Sequence, residues 1–262
     1  MTPQSAGKWG DLAPRLTTSV VLIAIGVFTI YLGGVWFAGL VALAIGLIGW
    51  ELSEMAQATR PRLIGIVAGL CCLGVLWLPD GWGLPLVIVP VLVAQSGLKR
   101  AHLSHAIFLT LAILAGYGLV DLRGEASPNW LVWLIMIVAV TDIFGYFAGR
   151  LIGGPKFWPR VSPKKTWSGT VAGWFGALCV GFVALMSGSV GPEILAISVA
   201  VSMASQLGDV AESAMKRHVG VKDSSNLLPG HGGVFDRFDG VLGASVFLLL
   251  VEQIIDFPPV AL

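Results

Sequence analysis

The chain has 262 residues, of which 56% are hydrophobic and 12% charged, with a formal net charge of +1. Soluble domains carry roughly 25% charged residues. These figures exclude disordered, collagenous, coiled-coil and disulfide-scaffold chains, and a basic nucleic-acid binder as well. A mean hydropathy of +0.85 places most of the chain in lipid.

A bilayer core needs about 20 mostly apolar residues in helix, because open strands leave backbone groups unpaired in hydrocarbon. In chain order, runs with few or no charges fall at about 16–33, 35–50, 63–78, 82–98, 103–120, 130–149, 168–187, 193–208 and 240–255. They predict an all-α, polytopic integral membrane protein with about nine transmembrane helices. Gly33-Gly34 and Pro79-Asp80-Gly81 mark tight turns, and Pro85 and Pro90 interrupt the fourth run. The first run exceeds a signal-peptide core, and Ala42-Leu43-Ala44 sits inside the second, so no cleaved leader is expected.

If nine spans alternate, the N-terminal segment and the segments after even-numbered spans hold fifteen of the 16 Lys and Arg residues. Only Arg123 falls on the opposite side. The positive-inside rule then makes those segments cytoplasmic. Cys71, Cys72 and Cys179 have no metal or redox spacing and read as packing residues. Residues 1–100 read as a transmembrane scaffold. Residues 101–262 read as the catalytic region, with cytoplasmic loops at 150–167 and 216–239.

Sixteen of the 31 charged residues lie between Asp142 and Asp239. Asp142 stands inside an apolar span, where an acid costs roughly 2.5–3.5 kcal/mol on insertion scales; it should face a polar cavity, a cation or a basic partner. In the 150–167 loop, Ser162-Pro163 precedes Lys164 and Lys165, and Thr166 and Ser168 add hydroxyls at the next helix start. Ammonium groups, hydroxyls and helix N-terminal amides make a phosphate seat. Juxtamembrane lysines also serve topology and attract anionic lipid.

The eighth span ends in a polar stripe of Ser205, Asp209, Glu212 and Lys216 on one helical face. Glu212 and Lys216 have the spacing of an i,i+4 salt bridge, whereas Asp209 has no local partner. Beyond it, Gly230, Gly232 and Gly233 allow close approach to a ligand or a positive φ. Asp236 and Asp239 stand three apart on the first turn of the last helix. Such acids suit a hard divalent cation that also holds phosphates, though acids there also complement a helix dipole.

The ordered run Ser213-x-x-Lys216-Arg217-x4-Lys222-Asp223-x5-Leu228-Pro229-Gly230-His231-Gly232-Gly233-x-x-Asp236-Arg237-x-Asp239 closely resembles the phosphatidate cytidylyltransferase, or CDP-diacylglycerol synthase, family. Ser162-Pro163-Lys164-Lys165-Thr166-Trp167 and Thr141-Asp142-x3-Tyr146-x2-Gly149-Arg150 are similar to that family's middle region. At position 168 the family's acid is replaced by Ser168. The resemblance covers residues 140–245 and implies transfer of CMP from CTP to phosphatidate, giving CDP-diacylglycerol and diphosphate. It implies Mg²⁺ and a possible second cation on Asp209, Asp236 and Asp239, with catalytic roles also for Lys216, Lys222, Arg237 and His231. Ser162, Lys164, Lys165, Thr166, Arg217, Asp223, Gly230, Gly232, Gly233 and Asp142 are the implied substrate contacts. His231 serves equally as a loop organiser. A homodimer in the bacterial cytoplasmic membrane, its site facing the cytoplasm, is expected. A CTP-dependent polyprenol or lipid kinase and a secondary transporter are the alternative readings, and no nucleic-acid partner is expected.

Overall fold

The computed structural model describes residues 12–78, 83–124, 128–188, 190–228, 230–254 and 257. Each apolar run lies on a helix: α1 (Leu12–Leu32), α2 (Gly34–Met55), α3 (Pro61–Trp77), α4 (Leu84–Gln95), α5 (His102–Arg123), α6 (Asn129–Leu151), α7 (Trp167–Met186), α8 (Glu193–Val219) and α9 (Phe235–Glu252). Among the described residues the only strands are β1 (Lys156–Trp158) and β2 (Ser162–Thr166), which pair antiparallel between α6 and α7. The fold is therefore nearly all-α, and the segment expected to be a loop is a hairpin.

Among the described residues five helices, α2, α5, α6, α7 and α8, are long and apolar enough to cross a bilayer. The apolar stretches of α1, α3 and α4 are shorter, and α9 carries Asp236, Asp239 and Glu252. Phe175, Phe182, Val183, Leu92 and Leu103 all point outward, which suits lipid rather than water. Gly33 and Gly34 both take positive φ and turn the chain between α1 and α2. The Pro79-Asp80-Gly81 turn lies outside the described residues.

Arg123 is not a free charge. It is buried at the end of α5 and donates to the carbonyls of Ile30 at 2.7 Å, Tyr31 at 3.4 Å and Gly124 at 2.9 Å. It thereby satisfies orphan carbonyls at the C-terminus of α1.

Two packings position the polar residues. α2 packs on α5, and both reach α9, while α8 lies along α9. The second contact is backbone to backbone: a Cβ on Gly243 would lie 2.9 Å from the Gly208 Cα and 2.6 Å from the Ala204 carbonyl oxygen. Gly243→Ala must therefore part the two helices, and such overpacking costs about 1–3 kcal/mol. A lower unfolding temperature in detergent is the expected result; an unchanged one would show that the contact yields freely.

Candidate active site

The polar residues gather where the C-terminal ends of α2, α6 and α8 meet the N-terminal ends of α7 and α9. α8 runs on as unbroken helix past the apolar residues to Val219, so its polar stripe projects from a rigid element. Asp209 and Glu212 of α8 and Asp239 of α9 bring one carboxylate oxygen each within 4.8 Å of one another. Three hard oxygen donors this close together could hold a metal ion.

Asp236 stands outside this trio, although the expected metal set was Asp209, Asp236 and Asp239. Its oxygens are occupied by the Lys216 ammonium at 2.7 Å, the Gly233 N–H at 2.8 Å, and the Ser224 N–H and hydroxyl, each at 3.0 Å. Lys216 forms the expected i,i+4 pair with Glu212 at 2.7 Å and so bridges Glu212 to Asp236.

Asp236 and Asp239 precede the apolar part of α9, and their environments pull in opposite directions. Burial raises the Asp236 carboxyl, but hydrogen bonds with Glu212, Lys216, Gly233 and Ser224 outweigh it and hold the group at about 2. Burial and then the Asp209 charge push Asp239 up to about 7, against the Gly240 N–H. Acids crowded in this way are the arrangement that a cation stabilises.

Asp209 finds its partner far along the chain: the Lys165 ammonium of β2 lies 2.6 Å away. This ion pair docks the hairpin on α8. Thr166 caps α7 by accepting the Gly169 N–H at 3.2 Å, and its hydroxyl meets that of Ser168 at 3.0 Å. Beside them opens a pocket of ≈ 340 Å³ lined by Asp142, Arg150, Lys164, Lys165, Thr166 and Gln206 among others. Asp142 faces this pocket, within electrostatic reach of Asp209, Lys165 and Arg237, and makes no ion pair among the described residues. The larger cleft of ≈ 640 Å³ between α2 and α3 is walled by Leu43, Ile66 and Leu70 and brings no acids together.

Other expected site residues lie further out. Ser162 pairs with Trp158 in the hairpin. Arg217, Lys222, Asp223 and Arg237 are exposed; Arg217 donates to the Val221 carbonyl and Arg237 to that of His231. His231 meets the Ser19 hydroxyl at 3.1 Å, tying the loop to α1. Gly230 and Gly232 adopt φ of 75° and 84° in a tight turn closed by Leu228 and Gly232; Pro229 lies outside the described residues. Gly233 instead answers a lack of space, since a Cβ there would run into the Ser224 hydroxyl and the Glu51 carboxylate.

Glu51 was not expected from sequence. It is fully buried at the end of α2 and accepts hydrogen bonds from the loop that precedes α9. The available signal was its position: it shares a helical face with Ile48, Leu52 and Met55, all buried.

These features define a helical membrane protein whose polar cluster presents donors for a divalent cation beside a basic pocket. The chain belongs to the cytidylyltransferase family, whose sequence profile matches residues 13–255. It is 37% identical to a phosphatidate cytidylyltransferase of Brucella abortus, over 95% of this chain and 96% of that protein. Proteins of the same name from Bacillus subtilis and Staphylococcus haemolyticus are 30% and 31% identical, covering 91% and 87% of this chain and 96% and 94% of theirs.

Proposed function

We propose that this protein transfers CMP from CTP to phosphatidate, forming CDP-diacylglycerol and diphosphate. The observation that carries this reading is the near full-length likeness to proteins named phosphatidate cytidylyltransferase. That likeness does not favour the kinase or the transporter.

A phosphatidate phosphate oxygen attacks the α-phosphorus of CTP, the bond from that phosphorus to the α,β-bridging oxygen breaks, and diphosphate leaves with the electron pair. Both reactants are anionic, so neutralisation governs the approach. Arg150, Lys164 and Lys165 line the pocket and serve as phosphate ligands, with Thr166 beside them and Ser162 further out on the same strand. Arg237, which donates to the His231 carbonyl of the glycine turn, and the exposed Lys222 and Arg217 meet the outer phosphates as they enter from water. Gly230 and Gly232 let the turn approach the nucleotide closely, and Asp223 stands at its edge.

Asp209, Glu212 and Asp239 are the proposed ligands of Mg²⁺, which when bound supplies charge neutralisation at the phosphates. Asp236 would add a ligand for a second cation if Lys216, which now holds it, engaged a phosphate instead. Asp142 orients Lys165 within the pocket. His231 organises the loop rather than moving protons, because phosphatidate is already ionised. Nine membrane spans, a cytoplasm-facing site in the bacterial inner membrane and a homodimer complete the reading.

The test uses purified protein in detergent with phosphatidate, Mg²⁺ and CTP labelled at the α-phosphate. Label is expected in lipid, with diphosphate released, and EDTA is expected to stop both. Label remaining in soluble CDP would instead mark a kinase, and untouched CTP would return the transporter reading.

A further inference from the structure

Glu51 lies in the half of the chain read as scaffold, yet all four of its hydrogen-bond donors come from the segment carrying the proposed site. Its Oε1 accepts the Ser225 hydroxyl at 2.6 Å and the Val234 N–H at 2.8 Å. Its Oε2 accepts the Phe235 N–H at 2.8 Å and lies 3.1 Å from the Ser224 hydroxyl, whose single proton it shares with Asp236. One carboxylate therefore ties together both ends of the 224–235 loop. The two N–H groups are orphan donors at the start of α9, where the helix dipole favours a negative charge. With three donors of its own and a fourth shared with Asp236, the acid is well paired despite its burial.

The contacts continue into the site. Ser224 stands between Glu51 and Asp236, its hydroxyl 3.1 Å from one carboxylate and 3.0 Å from the other. Asp236 meets Lys216, and Lys216 meets Glu212 of the carboxylate trio. On its other side Phe235 packs edge-on against Phe108 of α5, with ring centroids 5.9 Å apart. α2 and α5 thus form the seat on which the start of α9 rests.

We infer that Glu51 is a positioning residue for CMP transfer: it holds the 224–235 loop and the first turn of α9 in register with the acids of α8. The inference rests on the proposed activity for its kinetic arm only. A buried helix cap without this role would affect melting and the folded fraction, leaving the turnover of each folded molecule unchanged.

The substitution that keeps the shape is Glu51→Gln. Whichever way its amide turns, the –NH₂ group faces one backbone N–H that now meets a donor, so one arm of the clamp opens. Two measurements are made on full-length protein in detergent. Hydrogen exchange of the peptide spanning residues 224–236 is expected to quicken by about tenfold or more, while α5 and α6 peptides stay as in wild type. The kcat per folded molecule is expected to fall by about 10²-fold, the scale set by an ångström-sized misplacement, with a smaller change in the KM for CTP.

Wild-type kcat in folded Glu51→Gln, or unchanged exchange in that peptide, would overturn the inference. Should Glu51→Gln not fold, Ser225→Ala carries the test, since it removes one donor and keeps the charge. It is expected to quicken exchange in the same peptide and lower kcat, and no change in either overturns the role. If the wild-type protein transfers no CMP, the proposed activity fails, and exchange alone decides whether Glu51 holds the loop.

Discussion

Asp209→Asn is expected to lower CMP transfer by about 10²–10³-fold or more, the scale on which a single electrostatic stabiliser is lost from a preorganised site. Asp209 is common to two parts of the site: it belongs to the carboxylate trio and pairs with Lys165 of the pocket. The amide keeps the shape but removes the charge that a cation and Lys165 both need. The fold should survive. The Asp209 side chain is 33% exposed, so its ion pair contributes only about 0–1 kcal/mol, and its loss relieves the repulsion on Asp239. The assay with α-labelled CTP, run beside a melting curve, reads both quantities. Turnover within a few-fold of wild type would remove Asp209 from the proposed cation site.

Lys216→Met should add a large loss of stability to its loss of transfer. The Lys216 side chain is 12% exposed and stands between Glu212 at 2% and Asp236 at 6%. Breaking such a buried network by removing one partner costs about 3–5 kcal/mol, because the Asp236 carboxylate loses its cation and Glu212 its partner. The penalty should depend on pH. In wild type Asp236 is held at about 2, below its unfolded value, so its stabilising contribution is present above the ordinary carboxylate range and is lost as pH falls through about 2. Without Lys216 the carboxylates take up protons more readily, so the gap in unfolding temperature between variant and wild type should narrow from pH 8 to pH 5. Equal unfolding temperatures at pH 8 would show that Lys216 carries no such load.

The helices were legible because lipid leaves the chain little choice. Each of the nine apolar runs falls on a helix, as the need to pair every backbone group in hydrocarbon requires. Boundaries were less legible. α8 continues eleven residues past its apolar run, because Asp209, Glu212 and Lys216 do not interrupt backbone hydrogen bonding. α9 begins at Phe235 rather than near 240 for the same reason. The β1–β2 hairpin escaped notice because Ser162-Pro163-Lys164-Lys165-Thr166 has no alternation of apolar and polar residues to reveal a strand.

Within the site, the acids, the lysines and the glycine turn were all visible as residue types, and so was the Glu212–Lys216 spacing. Their pairing was not. Lys165 meets Asp209, Asp236 goes to Lys216 and the backbone amides rather than to the carboxylate trio, and Glu51 reaches Ser225 across 174 positions. By itself the sequence determined the membrane-helical class, a helix for each apolar run and the chemistry concentrated between Asp142 and Asp239, since composition and short-range periodicity act over a single turn or a single span. Only the tertiary structure decided which carboxylates converge and which are neutralised, because a buried charge takes its partner from whichever helix packs against it, and that choice is made by the packing of the whole bundle.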